Sequence, residues 1–327
     1  MAKTAFVTGA TGFVGLNLIE QLLDQDWQVI AMHRANSDLG ALKRLRKVER
    51  VVGDVTDKNS LKDLIPRQVD CVFHAAGNTS MWSKIHAEQL KVNVKGTRNM
   101  LRAALEARAR RFLHVSSIVA YGLHSGTITE ETPTRGNASR VNYVRSKALA
   151  EREVRKAVNA GLKAVIINPA NMMGAHDTVN WSRMFRLVKS GRLPAVPRGG
   201  GSFAHVGEVA RTMVVAAESG RIGHNYLLGG AQVSYLGLVQ EVGRMVGVKR
   251  RLFSASPRVL DAYARVEEWV ATLFGREPDI TRDAIALLSE NFYCSSKKAQ
   301  SELGYKPQPL DKMLTDCYDW LREQKML

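Results

Sequence analysis

Tyr143 and Lys147 are the residues whose types and spacing first suggest chemistry. They lie four residues apart in Y-V-R-S-K, and on a helix this spacing places both side chains on one face. A free tyrosine has a pKa of about 10, too high for efficient proton exchange at neutral pH, and a neighbouring ammonium favours the phenolate. The pair could therefore give a proton to a carbonyl oxygen or take one from an alcohol. Because Y-x-x-x-K also arises by chance, its position in the fold must support this interpretation.

Ser117 is the second candidate, and it follows an apolar run, Phe112–Ser116, that predicts a strand. A serine at the carboxyl end of a parallel strand faces the ligand crevice of an open α/β sheet. There its hydroxyl can hydrogen-bond an oxygen that gains negative charge during the reaction. The alternative is that Ser117 only caps the loop that follows the strand.

A glycine-rich turn near the start of the chain predicts a phosphate site. The strand-like run Thr4–Thr8 leads into G-A-T-G-F-V-G and then into an amphipathic helix. Gly9 would make the sharp turn, Gly12 would let the backbone approach a pyrophosphate, and Gly15 would let the helix pack closely on the strand. The free N–H groups of the helix would then face the phosphates of a dinucleotide. The alternative is a turn that only joins a strand to a helix.

The end of the second predicted strand indicates which dinucleotide binds. Sites specific for NAD place an acidic residue there, whereas this chain has A-M-H-R. Arg34 could grip the 2′-phosphate of NADP, and Ser37 could add a hydroxyl donor. Arg34 could also be merely a solvated residue. The sequence favours NADP, with NAD less favoured; Asp54 and Val55 are expected at the adenine, and Asp57 is expected to cap a helix.

Short apolar runs alternate with amphipathic stretches in the first half of the chain, which predicts an α/β fold with a doubly wound parallel sheet, the Rossmann fold. The predicted strands are Thr4–Thr8, Gln28–Met32, Arg50–Val52, Cys71–His74, Phe112–Ser116 and Ala164–Asn168, and the predicted helices are Val14–Asp24, Ser60–Leu64, Ala87–Ala107 and Val141–Ala160. We expect residues 1–170 to form the dinucleotide-binding domain, rejoined by part of 205–228. Residues 171–327 should form a smaller, mainly helical substrate unit.

The second half is less regular. Residues 194–201, P-A-V-P-R-G-G-G, predict an irregular segment, and Ser256–Phe274 and Asp311–Gln324 predict amphipathic helices. We expect Ser256–Phe274 to be a core helix, with a peripheral membrane role as the alternative.

Composition narrows the functional class. The 327 residues are 45% hydrophobic and 24% charged, and no apolar run is long enough to span a bilayer. Cys71, Cys294 and Cys317 are too far apart in sequence to suggest a disulfide framework or a metal site. The net charge of +16 includes the cluster Lys249, Arg250 and Arg251, but no nucleic-acid-binding motif accompanies it. We therefore expect a cytoplasmic enzyme with no metal and no nucleic-acid partner.

Several motifs together resemble the extended short-chain dehydrogenase/reductases. They are T-G-A-T-G-F-V-G (8–15), G-D-V-T-D (53–57), H-A-A-G (74–77), N-V-K-G-T (93–97), H-V-S-S-I-V-A-Y-G (114–122), Y-V-R-S-K (143–147) and S-S-K-K-A-Q-S-E-L-G-Y-K-P (295–307). The resemblance implies a catalytic set of Ser117, Tyr143, Lys147 and Asn93, in which Asn93 would link Lys147 to solvent. Asn93 could instead only satisfy buried backbone groups. The cofactor contacts expected are Gly9, Thr11, Gly12, Phe13, Val14, Gly15, Arg34, Ser37, Asp54, Val55, His74, Ala75, Ala76, Gly77, Ser116, Tyr143, Lys147, Pro169, Ala170 and Met172.

Within that family the chain looks most like the dihydroflavonol-reductase group, which includes cinnamoyl-CoA-type and hydroxysteroid-type dehydrogenases. The segments L-P-A-V-P (193–197), F-A-H-V-G-E-V-A (203–210) and Y-L-L-G-G (226–230) carry this likeness. The chain departs from it at Gly207-Glu208, where relatives commonly have an acidic pair. A second departure is Met172-Met173, which makes the pocket shape, and so the substrate, uncertain.

Methionine and aromatic residues predict a bulky, apolar substrate. The expected pocket residues are Asn78, Met81, Trp82, Ser117, Met172, Met173, Trp181, Met184 and Phe185, although several could be ordinary core residues. The leading hypothesis is an NADPH-dependent reductase of a hydrophobic ketone or aldehyde, and the resemblance to the extended short-chain dehydrogenase/reductases implies a homodimer. The alternatives are a nucleotide-sugar epimerase or dehydratase with tightly bound NAD(H), in which Arg183, Arg186 and Arg198 would hold a pyrophosphate, and a non-catalytic NADP-sensing protein.

Overall fold

The computed structural model describes residues 2–193, 195–249 and 252–327. Pro194 of the predicted irregular segment and Arg250 and Arg251 of the basic cluster therefore lie outside the described residues. The strands are β1 (Thr4–Thr8), β2 (Gln28–His33), β3 (Val48–Val52), β4 (Cys71–His74), β5 (Phe112–Val115), β6 (Thr127–Ile128), β7 (Ala164–Pro169), β8 (Asn171–Met173), β9 (Gly200–His205), β10 (Asn225–Leu228), β11 (Gln232–Ser234) and β12 (Asn291–Cys294).

Helices separate most of these strands. They are α1 (Phe13–Leu23), α2 (Gly40–Arg44), α3 (His86–Leu90), α4 (Thr97–Glu106), α5 (Asn142–Asn159), α6 (Arg183–Lys189), α7 (Val206–Ser219), α8 (Tyr235–Met245), α9 (Pro257–Leu273), α10 (Arg282–Leu288), α11 (Lys297–Leu303) and α12 (Leu310–Glu323).

The main sheet has seven parallel strands in the order β10-β7-β5-β4-β1-β2-β3. Its central strands are buried on both faces, as Phe6 and Val7 of β1 show by belonging to different core clusters. Helices α1 and α7 pack on one face, and α4 and α5 pack on the other. The doubly wound fold predicted from the alternating runs is confirmed. Because β1 lies between β4 and β2, the chain direction across the sheet reverses beside it and opens a crevice at the carboxyl ends.

A smaller sheet lies in the second half of the chain, in the order β11-β9-β12-β6, with β8 also pairing with β9. The sequence predicted a mainly helical unit here and identified none of these short strands. The glycine run that suggested a loop enters β9, because the strand needs glycine for close packing. A side chain at Gly200 would come within 2.3 Å of the Tyr293 hydroxyl and 2.9 Å of the Val233 carbonyl.

Strands of both sheets lie across the predicted boundary in sequence. β10 lies in 205–228, the segment expected to rejoin the dinucleotide-binding domain, and pairs with β7 of the main sheet, whereas β6 lies in residues 1–170 but pairs with β12 of the small sheet. The proposed boundary at residues 170 and 171 therefore stays a prediction. The chain therefore passes from the main sheet to the small sheet and back again.

Two predicted helices differ from the structure. Ser60–Leu64 forms consecutive turns instead of a helix, so Asp57 accepts a hydrogen bond from the Asn59 N–H at 2.9 Å without capping one. Ala87–Ala107 is divided by a wider π-helical segment, Lys91–Gly96. At its end Gly96 packs on Val55, where a β-carbon would come within 2.8 Å of a Val55 methyl group.

Helix α9 has two apolar faces. Leu260 and Ala264 are buried against the small core beneath it, and Ala271 is buried on the same helix. On the outward side Val259, Val266, Trp269 and Leu273 are each more than 60% exposed. The expectation of a core helix therefore describes only the inner face.

Cys71, Cys294 and Cys317 are all buried free thiols, and burial raises the pKa of each. Within residues 2–193, 195–249 and 252–327, no three His, Cys, Asp or Glu side chains gather in a way that could hold a metal ion. Over the same described ranges, every helix is too short or too polar to cross a membrane.

Candidate active site

The glycine turn brings the end of β1, the start of α1 and the loop after β4 into contact. Gly9 has a φ of +68°, and a side chain there would come within 2.7 Å of the Ala75 and Ala76 backbone. A β-carbon at Gly15 would lie 2.1 Å from the Gly9 carbonyl oxygen. Gly12 begins α1 without a side-chain cap, and the first turn has no acidic residue. The open N–H groups and the dipole of this helix could therefore receive the phosphates of a dinucleotide.

Beneath this turn, His74 joins three elements. Its Nδ1 lies 2.8 Å from the Thr8 hydroxyl, and its Nε2 lies 3.0 Å from the Thr97 hydroxyl. Thr97 donates its proton to the Asn93 carbonyl at 2.6 Å, so Nε2 of His74 must be the donor and Nδ1 the acceptor. Burial and then the nearby Lys147 ammonium lower the pKa of His74 to about 3. The imidazole has no exposed surface, so it braces the crevice and cannot contact a ligand.

Tyr143 and Ser117 meet at the carboxyl end of β5. Tyr143 lies in the first turn of α5, and its phenol is hydrogen-bonded by the Ser117 side chain. The Ser117 hydroxyl also accepts a long hydrogen bond of 3.4 Å from the Val119 N–H, so it caps the following 3₁₀ turn as well. Burial raises the pKa of Tyr143 to about 12, and the hydrogen bond from Ser117 partly opposes this. The expected lowering of this pKa by Lys147 is not observed, and burial of the phenol is the dominant cause of the shift.

Lys147 lies one turn further along α5, and its ammonium donates to the Val115 carbonyl at 3.0 Å. The side chain is buried, and this burial lowers the pKa of Lys147 to about 8, while Glu151 raises it. A β-carbon at Gly77 would come within 3.4 Å of the ammonium and 3.5 Å of the Asn93 side-chain oxygen. The ammonium, this amide and the loop after β4 therefore converge at one point.

Asn93 clamps the chain after β4. Its side-chain oxygen accepts from the Asn78 N–H at 2.7 Å, and its amide donates to the Asn78 carbonyl at 2.9 Å. The same amide also donates to Ser146 on α5 at 2.9 Å. Asn93 thus satisfies buried backbone groups, as the structural alternative expected, and also lies beside Lys147.

Comparison with known proteins identifies the family. The model of the NAD dependent epimerase/dehydratase family matches residues 5–229. The chain belongs to this family. It is 30% identical to a Synechocystis protein that carries the provisional name dihydroflavonol 4-reductase, over 98% of this chain and 95% of that one. It is also 30% identical to sterol demethylase protein B of Methylococcus capsulatus, over 99% and 100%.

A solved structure described as gox2253 has a TM-score of 0.84 and 34% sequence identity, covering 98% of both chains. These relatives confirm the resemblance to the extended short-chain dehydrogenase/reductases and to their dihydroflavonol-reductase group. As a member of this epimerase/dehydratase family, the chain is an enzyme of oxidoreductase or epimerase type that uses a nicotinamide dinucleotide.

The residues expected at the adenosine lie at the carboxyl ends of β2 and β3. Arg34 is exposed, and its N–H donates to the Ser37 hydroxyl at 3.1 Å, so the two residues form one tight turn. Asp54 accepts from the Thr56 N–H at 2.8 Å, and Val55 is buried. Of the other expected cofactor contacts, Thr11, Phe13 and Val14 are partly exposed on the glycine turn and α1, Ala76 is partly exposed after β4, and Ser116, Pro169 and Ala170 are buried at strand ends.

The expected substrate residues divide into two groups. Met81 packs beside Tyr143 against the cluster around Tyr121 and Ala170, and Asn78 adjoins it through the Asn93 clamp. Met173 and Phe185 instead have no exposed surface and belong to the core of the small-sheet unit. In that unit Trp181 stacks on Tyr235 at 5.4 Å, and Met184 packs at the edge of the same core. Two residues lie outside both groups: Met172 lies against the main core, and the Trp82 ring lies 5.3 Å from the Lys84 ammonium.

Sequence analysis missed a buried polar group behind the Tyr143–Lys147 face. Glu151 is 2% exposed and lies among Ser116, Asn168 and Asn225. The signal was available, because Glu151 follows Lys147 by four residues and so shares its helix face. The two asparagines gave no signal, since Asn168 lies near the end of the apolar strand β7 and Asn225 begins β10.

Proposed function

We propose that the protein is an NADPH-dependent reductase of a bulky, hydrophobic ketone or aldehyde. The convergence of Ser117, Tyr143 and Lys147 at the carboxyl end of the sheet is the observation that carries this proposal. A bound nicotinamide would supply hydride to the carbonyl carbon. Tyr143 would give its proton to the carbonyl oxygen, Ser117 would donate a hydrogen bond to that oxygen, and the ammonium of Lys147 would favour the phenolate that forms.

The high pKa of Tyr143 suits the reductive direction. A phenol with a pKa near 12 is fully protonated at neutral pH, so it is ready to act as an acid. Loss of that proton would create a buried phenolate close to Lys147. The Lys147 ammonium would then stabilise the phenolate formed by proton transfer more than the neutral phenol that precedes it.

NADPH is proposed over NADH because of charge. Arg34 lies at the end of β2 next to the glycine turn, and its exposed guanidinium is available to a 2′-phosphate. The name of the family refers to NAD. The preference for the phosphorylated form is therefore a property proposed for this chain.

The substrate class is supported by apolar residues near Tyr143. Met81 and Val141 are partly exposed and, like Tyr143, pack against the buried cluster that contains Ile118. Two relatives are named for a dihydroflavonol and a sterol, both of which point to a ring system and not to a sugar nucleotide. We further propose a cytoplasmic homodimer, with residues 1–170 binding the dinucleotide and 171–327 forming most of the substrate unit.

The proposal is tested by measuring NADPH consumption with aromatic, steroid-like and acyl-CoA carbonyl compounds. Tyr143→Phe should lower turnover by about 10²–10⁴-fold and leave NADPH binding intact, because only the proton donor is removed. Tyr263→Phe, at an exposed tyrosine on α9, is the matched control and should be unchanged. Equal turnover by Tyr143→Phe and the native enzyme would remove the phenol from the mechanism.

A nucleotide-sugar epimerase or dehydratase is the second candidate. Arg183, Arg186 and Arg192 line a groove of about 200 Å³ between α6 and the segment after α9, and one guanidinium nitrogen of Arg186 is buried without a partner. Arg198, which the sequence also suggested, is exposed and does not line this groove. Cofactor that co-purifies with the protein and is never consumed by carbonyl compounds would favour this candidate.

A further inference from the structure

Glu151 is a buried carboxylate that the mechanism above does not use. Tyr143, Lys147 and Glu151 follow one another at intervals of four along α5, so they lie on one helix face. Glu151 is 2% exposed and lies one helical turn beyond Lys147, on the side away from Tyr143. A carboxylate in such a place needs a physical reason, because burial of a charge is costly unless it is compensated.

Every contact of Glu151 is a hydrogen-bond donor or a cation. One oxygen accepts from the Ser116 hydroxyl at 2.6 Å and from the Asn168 amide at 2.6 Å. The other accepts from the Asn225 amide at 3.0 Å and lies 3.8 Å from the Arg155 guanidinium. In all these contacts the two carboxylate oxygens act as acceptors, which is the role an ionised carboxylate offers.

The network extends to the proposed catalytic serine. The Asn168 amide that donates to Glu151 also donates to the Ser117 carbonyl at 3.0 Å. Asn225 donates to the Asn168 side-chain oxygen at 2.8 Å and accepts from Arg155 at 2.7 Å. The carboxylate thus fixes the backbone at the end of β5 from two sides, through Ser116 and through Asn168.

The same carboxylate is the anion that favours the charged form of Lys147. The other titratable groups that face this ammonium are His74 on β4, His114 on β5 and Tyr143 on α5. Burial holds both histidines neutral at neutral pH, since it lowers the pKa of each. Neither histidine carries a charge at neutral pH, so among these groups Glu151 is the one that compensates the positive charge of the buried Lys147 ammonium.

We propose that Glu151 is a positioning residue that keeps Lys147 protonated and holds the Ser117 backbone in place. The inference rests on the proposed roles of Lys147 and Ser117. It predicts two separable effects of removing the carboxylate, one on a proton equilibrium and one on the geometry at the end of β5. A residue that only filled space would produce neither.

The decisive experiment measures the protonation of Lys147 directly and needs no substrate. The lysine side chains are labelled with ¹³C and followed by NMR as pH is varied, and the Lys147 signal is assigned from its absence in Lys147→Arg. In Glu151→Gln the pKa of Lys147 should fall by about one unit or more, a tenfold change in its acid dissociation constant. Glu153→Gln is the matched control, because it removes a carboxylate from the same helix that pairs with Arg98 and Lys156 instead. There the Lys147 titration should not move.

An unchanged Lys147 titration in folded Glu151→Gln would overturn the proposal. Should that variant fail to fold, the native protein and Glu151→Asp decide the matter. Both should keep Lys147 charged at neutral pH, and a neutral Lys147 in the native protein would equally refute the role of Glu151. Because the titration does not involve turnover, a failure of NADPH consumption would count against the proposed function and leave this result standing.

If the carbonyl substrate is found, the pH dependence of kcat/KM adds a second readout. The alkaline limb of reduction should move to lower pH in Glu151→Gln, since Lys147 would lose its proton earlier. Glu153→Gln should keep the native limb. A fall in kcat/KM with no movement of the limb would show a structural role alone and would contradict the electrostatic part.

Discussion

Replacing Gly15 by alanine tests whether the glycine turn is built for close packing. The new β-carbon would lie 2.1 Å from the Gly9 carbonyl oxygen, 2.8 Å from the Gly9 carbonyl carbon and 2.9 Å from the Ala10 α-carbon. All three are backbone atoms, so no side chain can rotate away. The start of α1 must move away from β1, which would also shift the N–H groups proposed to hold the pyrophosphate.

Two opposing terms set the size of the effect. Alanine is favoured over glycine within a helix by about 1 kcal/mol. Overpacking of a close contact costs about 1–3 kcal/mol, and contact with backbone on all sides indicates the upper end of this range. The free energy of unfolding of Gly15→Ala should therefore be lower than that of the native protein by about 2 kcal/mol.

Urea unfolding and fluorescence titration with NADPH measure the two consequences. Gly12→Ala is the matched control for the stability measurement alone, because its β-carbon would lie 3.3 Å from the Gly9 carbonyl oxygen, a contact that a small adjustment relieves. We expect a smaller change in stability for Gly12→Ala and a clear loss of NADPH affinity for Gly15→Ala. If Gly15→Ala were as stable as Gly12→Ala and bound NADPH like the native protein, the packing argument would be refuted.

Two further predictions concern charge. Arg34→Ala should weaken NADPH binding by roughly 10–100-fold, the value of a charge-assisted hydrogen bond, and leave NADH binding nearly unchanged in the same titration; equal losses for both would contradict the assignment. His114 is buried, its ring nitrogens have no partners, and burial holds its pKa well below 6.5. The pKa of His114 is lower in the folded protein than in the unfolded protein, so the unfolded protein binds this proton more readily as pH falls below about 6.5. The free energy of unfolding should therefore decrease by about 1.4 kcal/mol per pH unit in that range. Urea unfolding at successive pH values measures this dependence. In His114→Phe the free energy of unfolding should fall less steeply with decreasing pH, and the part due to His74 should remain. An unchanged pH dependence would show that His114 does not titrate in this way.

The sequence predicted the glycine turn and the main sheet because the signals there are local. Gly9, Gly12 and Gly15 lie between a strand and a helix, so these three closely spaced glycines account for the shape of the turn. Continuous apolar runs marked the strands of the main sheet, since both faces are covered. The confirmed fold then brought Ser117 to the helix that carries Tyr143.

The remaining features depend on contacts between distant segments. β9 contains glycines that suggested a loop, and only the approach of Tyr293 and Val233 shows why a strand needs them. The raised pKa of Tyr143 follows from packing around the ring, which residue spacing does not reveal. Glu151 looks like an ordinary polar helix residue until β7 and β10 cover it.

The three buried thiols can report where the folded protein opens locally. Cys71 lies in the main sheet, Cys294 lies on β12 of the small sheet, and Cys317 lies on α12 in the other core. Each is shielded from alkylating reagents until its surroundings separate, and its raised pKa keeps the reactive thiolate scarce. The order in which mass spectrometry finds them modified would therefore reveal which layer of the molecule loosens first, without any engineered label.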